Sequence, residues 1–296
     1  MPVSRRTVSV VAESSCLRPY TFHGVDLHAN GSHAVGDCPF CGREGKFSVD
    51  IATGLWRCLV CGTGTAAGGG NGLVFVRLIH ENATNAIHGG RLGNFRASVA
   101  ADRRLLSLDT VASWGIVPAV DGTWLVPGYS AEGRLDQVYR RTRIQERGEW
   151  VWRLLPTPGI WPEGKAHALH LPIGDFDLSR PNIDVFEGPW DGMAVWEVNN
   201  GALTDTNIIA VPGCNVWRDE WSTMCQGKHV RLWYDSDHPR EVVTGRRSRA
   251  GYDGMVRVAK RLSGVAASVK WLRWGEDGYD PTKPSGWDVR DHLTIG

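Results

Sequence analysis

Two Cys-x-x-C pairs, Cys38-Pro-Phe-Cys41 and Cys58-Leu-Val-Cys61, stand sixteen residues apart and constrain this chain more than any other feature. Two thiolates at i and i+3 can clasp one ion, and two such turns brought together complete a tetrahedral four-thiolate site with no open position for chemistry. The ion that suits it is a single structural Zn²⁺. Between the pairs, Lys46-Phe-Ser-Val-Asp50 and Leu55-Trp-Arg57 read as the strands of a hairpin turned at Thr53-Gly54, and Gly42 and Gly62 follow the two knuckles. This zinc ribbon is either a staple for the fold or a nucleic-acid reader that presents Arg43, Lys46, Trp56 and Arg57.

Composition narrows the setting. The chain has seven cysteines, an odd number, and the three outside the pairs, Cys16, Cys214 and Cys225, read as ordinary buried thiols. Paired C-x-x-C turns of this kind point to metal in a reducing compartment rather than to disulfides. The formal charge is +1, from 33 basic and 32 acidic residues, so any affinity for nucleic acid must be local. Fourteen tryptophans point mainly to core filler, with stacking on bases as a second use. The sequence shows neither a charged-then-apolar leader nor an apolar run of about twenty residues, so the expectation is a soluble chain in the cytoplasm, with no membrane partner.

At 296 residues the chain is long enough for several domains. The expected division is a β unit over 30–80, a linker over 81–102, a basic α+β module over 103–178 and an α/β domain over 179–296. The glycine-rich run Gly62 to Gly72 and the apolar helix-like stretch Leu73 to Ile79 close the first unit. Short strand-like runs, Thr123 to Pro127, Leu135 to Arg143 and Trp150 to Leu155, mark the second. In the third, the strands Ile183–Phe186, Ile208–Val211, Val230–Tyr234 and Val269–Leu272 alternate with helical runs at Met193–Val198, Val216–Cys225 and Met255–Leu262. That order predicts a parallel sheet covered on both faces.

Acidic residues sit where those strands should end. Glu187 follows the first strand and opens Glu-Gly-Pro-Trp-Asp191; Asp235-Ser-Asp237 follows the strand Val230–Tyr234. Sites in open parallel sheets form beyond the carboxyl ends of strands. In extended backbone, residues two apart point the same way, so Asp235 and Asp237 can offer oxygens jointly to a hard cation, with Glu187 across the gap. Asp288 and Asp291, in Gly-Trp-Asp-Val-Arg-Asp-His292, add further oxygen donors. Such a cluster suits phosphoryl chemistry assisted by Mg²⁺ or Mn²⁺.

Taken together, these motifs resemble those of DnaG-like DNA primases of bacteriophage type, which join a zinc-binding domain to a Toprim domain. The resemblance rests on Cys38 to Cys41, Trp56-Arg-Cys58, Cys61-Gly62, Glu187-Gly188 with Asp191, Asp235-Ser-Asp237, Ala250-Gly251 opening a helix, and Asp288. It implies a C-terminal Toprim domain in which Asp235 and Asp237 hold the catalytic metals. Glu187 is then a metal-proximal or acid/base group, and Asp288 or Asp291 the third acidic position. The resemblance also implies a groove lined by Arg140, Arg141, Arg143 and Lys165, with Arg141 and Arg143 on the Tyr139 face of one strand.

By the same resemblance the activity is DNA-directed RNA polymerase: nucleotidyl transfer from ribonucleoside triphosphates on a single-stranded DNA template, giving short RNA primers for phage DNA replication. A separate replicative helicase is the expected partner, because the sequence contains no G-x-x-x-x-G-K-[S/T] motor segment. Two departures from the family stand out. All four zinc ligands are cysteines, and the turn between Asp237 and Ala250 is long and holds Arg246, Arg247 and Arg249, either touching nucleotide phosphates or template or simply disordered. The rival readings are a Toprim-type nuclease and a catalytically silent zinc/Toprim DNA-binding recombination mediator.

Overall fold

Every second residue of the strands Phe47–Asp50 and Trp56–Cys58 is buried, and this alternation turns Phe47, Val49, Trp56 and Cys58 to one side. The structure is a computed structural model that describes residues 14–62, 68–88, 106–146, 148–161, 168–201, 203–241 and 247–293. The chain folds as two units, Met1–Gly89 with Gln137–Lys165, and Gly90–Asp136 with Ala166–Gly296.

In the first unit five strands, His28–Asn30, His33–Gly36, Phe47–Asp50, Trp56–Cys58 and Gly69–Gly70, form an antiparallel sheet in sequence order. The expected hairpin turns where Asp50 Oδ1 accepts from the Ala52 and Thr53 N–H groups and the Thr53 hydroxyl, and Gly54 takes φ +69°, which a side chain would resist. Tyr20, Phe47, Trp56 and Phe75 pack ring against ring; Phe47 and Trp56 stack with centroids 5.2 Å apart. The helix Gly72–His88 supplies Phe75 and Val76 to this core and continues past residue 80 through the start of the expected linker. The remainder of that linker, 89–102, lies outside the described residues. A long hairpin, Leu135–Glu146 with Glu149–Pro156, lies in this unit from Gln137 onward and keeps its register from Tyr139↔Pro156 to Glu146↔Glu149.

The second unit holds the parallel sheet. Its strands run in the order Thr206–Ala210, Asn182–Phe186, His229–Trp233, Ser268–Trp271, and all three pairings are parallel. On one face Ile183, Val185, Ile209, Val230 and Leu232 meet Met255, Val258 and Leu262 of the helix Ala250–Leu262. On the other, the helix Pro189–Val198 lies so close that a Cβ on Gly192 would come within 2.7 Å of the Trp114 ring and 3.3 Å of the Ile208 side chain. The helix expected over 216–225 is shorter than its apolar run: it spans Asp219–Ser222 and continues as a 3-10 turn, Thr223–Cys225, because Arg218 is extended. Among the described residues no helix is long and apolar enough to cross a membrane.

Candidate metal centres

The zinc site follows from its two knuckle turns. Gly42 N–H donates to Cys38 O, Gly62 N–H to Cys58 O, and Cys61 N–H to the Cys58 sulfur at 3.3 Å, so each pair of thiols faces inward. The Cys38 and Cys61 sulfurs lie 3.9 Å apart and those of Cys41 and Cys58 3.8 Å apart. A tetrahedron with Zn–S bonds of about 2.3 Å has edges of roughly 3.8 Å, so the geometry fits one structural Zn²⁺. Burial and the neighbouring thiols push Cys38 up to about 11 and Cys61 higher still. Burial raises Cys58 too, but the Cys61 and Val60 N–H groups outweigh it and bring that thiol down to about 7. Among the described residues this is the one group of three or more His, Cys, Asp or Glu ligand atoms that all lie within 4.8 Å of one another.

Around it, Arg43, Lys46 and Arg57 are exposed, whereas Trp56 is 2 % exposed and donates its indole N–H to Asn71 O. The reading role expected for Trp56 is therefore corrected: its ring faces are taken by Phe47, Phe40 and Phe75, which leaves no face for a base. The strand alternation that exposes Arg57 is what turns its neighbour inward.

The acidic site stands beyond the carboxyl ends of two adjacent strands. Phe186 pairs with Trp233, so the next residue of the first strand, Glu187, meets the chain leaving the second; its Oε2 accepts from Asp235 N–H at 3.1 Å. Ser236 is fully buried and pairs through its backbone with Trp287, leaving Asp235 and Asp237 on the opposite side and drawing Asp288 alongside. Asp237 Oδ2 accepts from Gly251 N–H at 2.8 Å, at the start of the helix Ala250–Leu262. A Cβ at Gly251 would lie 2.6 Å from Asp235 O and 3.0 Å from Glu187 Oε2, which explains why glycine opens this helix.

The cluster is electrostatically costly. Burial, with Asp237 and Asp288 nearby, pushes Glu187 up to about 7; burial and Asp288 push Asp191 up to about 8. Asp235 is raised well above the ordinary carboxylate range by burial and then by Glu187, Asp191, Asp288 and Asp237. Crowded, buried carboxylates are hard oxygen donors whose mutual repulsion a divalent cation relieves.

Three neighbours were not among the candidates drawn from the sequence. Asp191 is buried in the first turn of the helix Pro189–Val198, although its motif was noted. Arg290 bonds both Asp191 and Asp288. Cys214, expected to be an ordinary buried thiol, is half-buried beside Glu187, and burial followed by the carboxylates lifts it to about 12. Cys225 is buried as expected, whereas Cys16 is half-buried. The signal for Arg290 was a lone basic residue inside an acidic motif; nothing in the sequence marked Cys214.

The basic candidates are placed unevenly. Arg141 is 3 % exposed and lies over the Trp152 ring at 4.0 Å; Arg143 is exposed, 5.7 Å from the same ring. Both share one face of the hairpin with Tyr139, as the strand period implies, together with Trp150 and Trp152, which are 60 % and 47 % exposed. Arg140 points the other way, toward the Phe22 carbonyl and ring. Arg247 lines an open cleft of about 420 Å³ with His238, Pro239, Glu241, Tyr279 and Pro281. Arg249 lies over Tyr252 at 4.4 Å. Lys165 and Arg246 fall outside the described residues.

No protein-family model matches the sequence, and no curated protein matches it significantly. Solved structures do. The zinc-binding and RNA polymerase domains of the Aquifex aeolicus primase match at a TM-score of 0.50 and 14 % identity, over 96 % of this chain and 80 % of that one. The primase fragment of the bacteriophage T7 primase-helicase matches at a TM-score of 0.39 and 17 % identity, over 88 % of this chain and 94 % of that one. The E. coli primase catalytic core matches at a TM-score of 0.46 and 14 % identity, over 75 % and 76 % of the two chains. At such identities the likeness is one of fold, and the fold of this chain, a four-cysteine β unit and a parallel α/β sheet, is that of the zinc-binding and RNA polymerase domains of the Aquifex aeolicus primase.

Proposed function

We propose that this chain is a DNA primase, a DNA-directed RNA polymerase that makes short RNA primers on single-stranded DNA from ribonucleoside triphosphates. The observation that carries the reading is the pairing of Glu187 with the Asp235 backbone at the ends of adjacent parallel strands, in a chain that also holds a closed four-thiolate site. A zinc site without an open position has a structural role, which leaves the chemistry to the carboxylates.

Asp235, Asp237 and Glu187 would hold Mg²⁺ or Mn²⁺, which when bound supplies charge neutralisation for the attacking and leaving oxygens of an in-line displacement. The 3′-hydroxyl of one nucleotide attacks the α-phosphate of the next, and pyrophosphate leaves. Gly251 N–H fixes the orientation of Asp237, and the positive end of its thirteen-residue helix favours phosphate close by. Glu187, with Oε2 held by Asp235 N–H, would take up the hydroxyl proton when it does not ligate the ion.

The hairpin face with Arg143, Trp150 and Trp152 is where template would lie, cations against phosphate and indoles against bases. Arg247 and the adjoining Arg246 would serve the triphosphate, Lys165 the template backbone, and Arg43, Lys46 and Arg57 the choice of start site. A replicative helicase supplied from outside this sequence would move the template, in the cytoplasm of the cell that is replicating the DNA.

The test is incorporation of labelled ribonucleotides on mixed-sequence single-stranded DNA with Mg²⁺ or Mn²⁺, comparing the full chain with Asp235→Ala and Trp152→Ala. Short RNA that vanishes with Asp235→Ala, and needs more template with Trp152→Ala, supports the reading. Loss of the template strand in place of RNA synthesis would establish a nuclease, and binding with neither product a silent DNA-binding protein.

A further inference from the structure

The carboxylates of the acidic site are engaged very differently. Among the described residues the side chain of Asp235 accepts no hydrogen bond, Asp237 and Glu187 each commit one oxygen to a backbone N–H, and Glu187 also accepts from the Cys214 thiol. Asp288 has both oxygens in use: Oδ1 accepts from Asp291 N–H at 2.9 Å and Oδ2 receives an Arg290 guanidinium nitrogen. The same guanidinium reaches Asp191 through Nε at 3.0 Å, closing a bridge between residues 99 positions apart in sequence. Asp191 and Asp288 are 6 % and 5 % exposed, and two carboxylates so far from water need a positive charge between them. A divalent ion would meet that need; here a side chain does.

We propose that Arg290 is a fixed counter-cation standing between Asp191 and Asp288 where a second divalent ion would otherwise bind. This chain then has one exchangeable cation site, formed by Glu187, Asp235 and Asp237, and Asp288 is a positioning residue and not a ligand. Arg290 holds Asp288, Asp288 caps the helix Val289–Leu293, and the backbone pairing of Ser236 with Trp287 carries that rigidity to Asp235 and Asp237. The inference rests on the reading of this cluster as a divalent-cation site, and its test separates the two.

The experiment is titration of Mn²⁺ into the full chain with its zinc retained, followed by electron paramagnetic resonance of the free ion, for wild type, Asp288→Asn and Arg290→Met. One Mn²⁺ per chain is expected in the wild type. Asp288→Asn keeps one, with affinity within about threefold, because asparagine still accepts from Arg290 and caps the helix. Arg290→Met gains a second Mn²⁺ at the vacated place, and Mn²⁺ raises its melting temperature more than that of the wild type. Two ions in the wild type, a loss of tenfold or more in Asp288→Asn, or a folded Arg290→Met that still binds one, each overturns the proposal. If Arg290→Met does not fold, the other two chains decide. No bound Mn²⁺ in the wild type overturns the cation site itself, and this inference with it.

Discussion

Replacing Gly251 by alanine tests whether the acidic site depends on how closely the helix Ala250–Leu262 approaches the strand ends. The new methyl carbon would stand 2.6 Å from Asp235 O, well inside van der Waals contact, with Glu187 Oε2 at 3.0 Å on the same side. Relief needs a shift of the helix start by several tenths of an ångström, because a backbone carbonyl cannot swing away as a side chain can. Overpacking of this kind costs about 1–3 kcal/mol, and the better helix propensity of alanine returns about 1 kcal/mol, so the net loss of stability should be roughly 0–2 kcal/mol. Activity should fall much further. The displaced residue carries the N–H that orients Asp237, and misplacement approaching 1 Å costs on the order of 100-fold in rate. The assay pairs urea denaturation with primer synthesis, and Gly264→Ala, where no atom lies within 4 Å of the added carbon, serves as the control. Activity within twofold of wild type in a folded Gly251→Ala would refute the reasoning.

The zinc site should be structural throughout. Cys58→Ser, or removal of zinc by a chelator, should release about one zinc per chain and lower the melting temperature of the first unit, as read by zinc-dye absorbance and calorimetry, because binding free energy at such sites is folding free energy. Buried His170, held down at about 4 by desolvation while its Nδ1 faces the Pro127 carbonyl, stays neutral in the fold. The unfolded chain takes up that proton below about 6.5, so this contribution is complete above pH 6.5 and is lost as pH falls toward 4, by about 3 kcal/mol. Urea midpoints at pH 7.5 and 4.5 should therefore converge for His170→Gln relative to wild type, and parallel changes in both would exclude the account.

What the sequence made legible follows from how local each constraint is. The four thiols declare themselves because a closed tetrahedral site needs two i, i+3 pairs, and the intervening hairpin obeys the strand period. Glu187, Asp235 and Asp237 were legible because strand ends of a parallel sheet lie in register, which Phe186↔Trp233 realises. A place in the ribbon beside Arg57 does not show which face of its strand is covered; the inward face of Trp56 depends on Phe75, from a helix beginning fourteen residues after Cys58. Arg290 and Asp191 are 99 residues apart, and no local pattern joins them. Cys214 comes beside Glu187 through a loop whose close approach to the helix is marked by Gly254, where a Cβ would lie 2.2 Å from the Cys214 carbonyl.

The two metal centres solve opposite problems, and the contrast explains why one was easier to read. In the zinc site every ligand atom is already turned inward by its own knuckle, at the sulfur separations the ion requires, so spacing along the chain nearly suffices. The acidic site is assembled from three separate returns of the chain to the carboxyl end of the sheet, and burial, then the neighbouring charges, raises the proton affinity of its carboxylates. A fold keeps such a cluster only if cations offset part of the repulsion. Arg290 does so for Asp191 and Asp288, and Asp235, with no hydrogen bond to its side chain among the described residues, would on the proposal be left for an exchangeable ion. On the proposed function, the same imbalance that costs the folded state stability would let this end of the site bind, and release, a divalent cation together with a nucleotide.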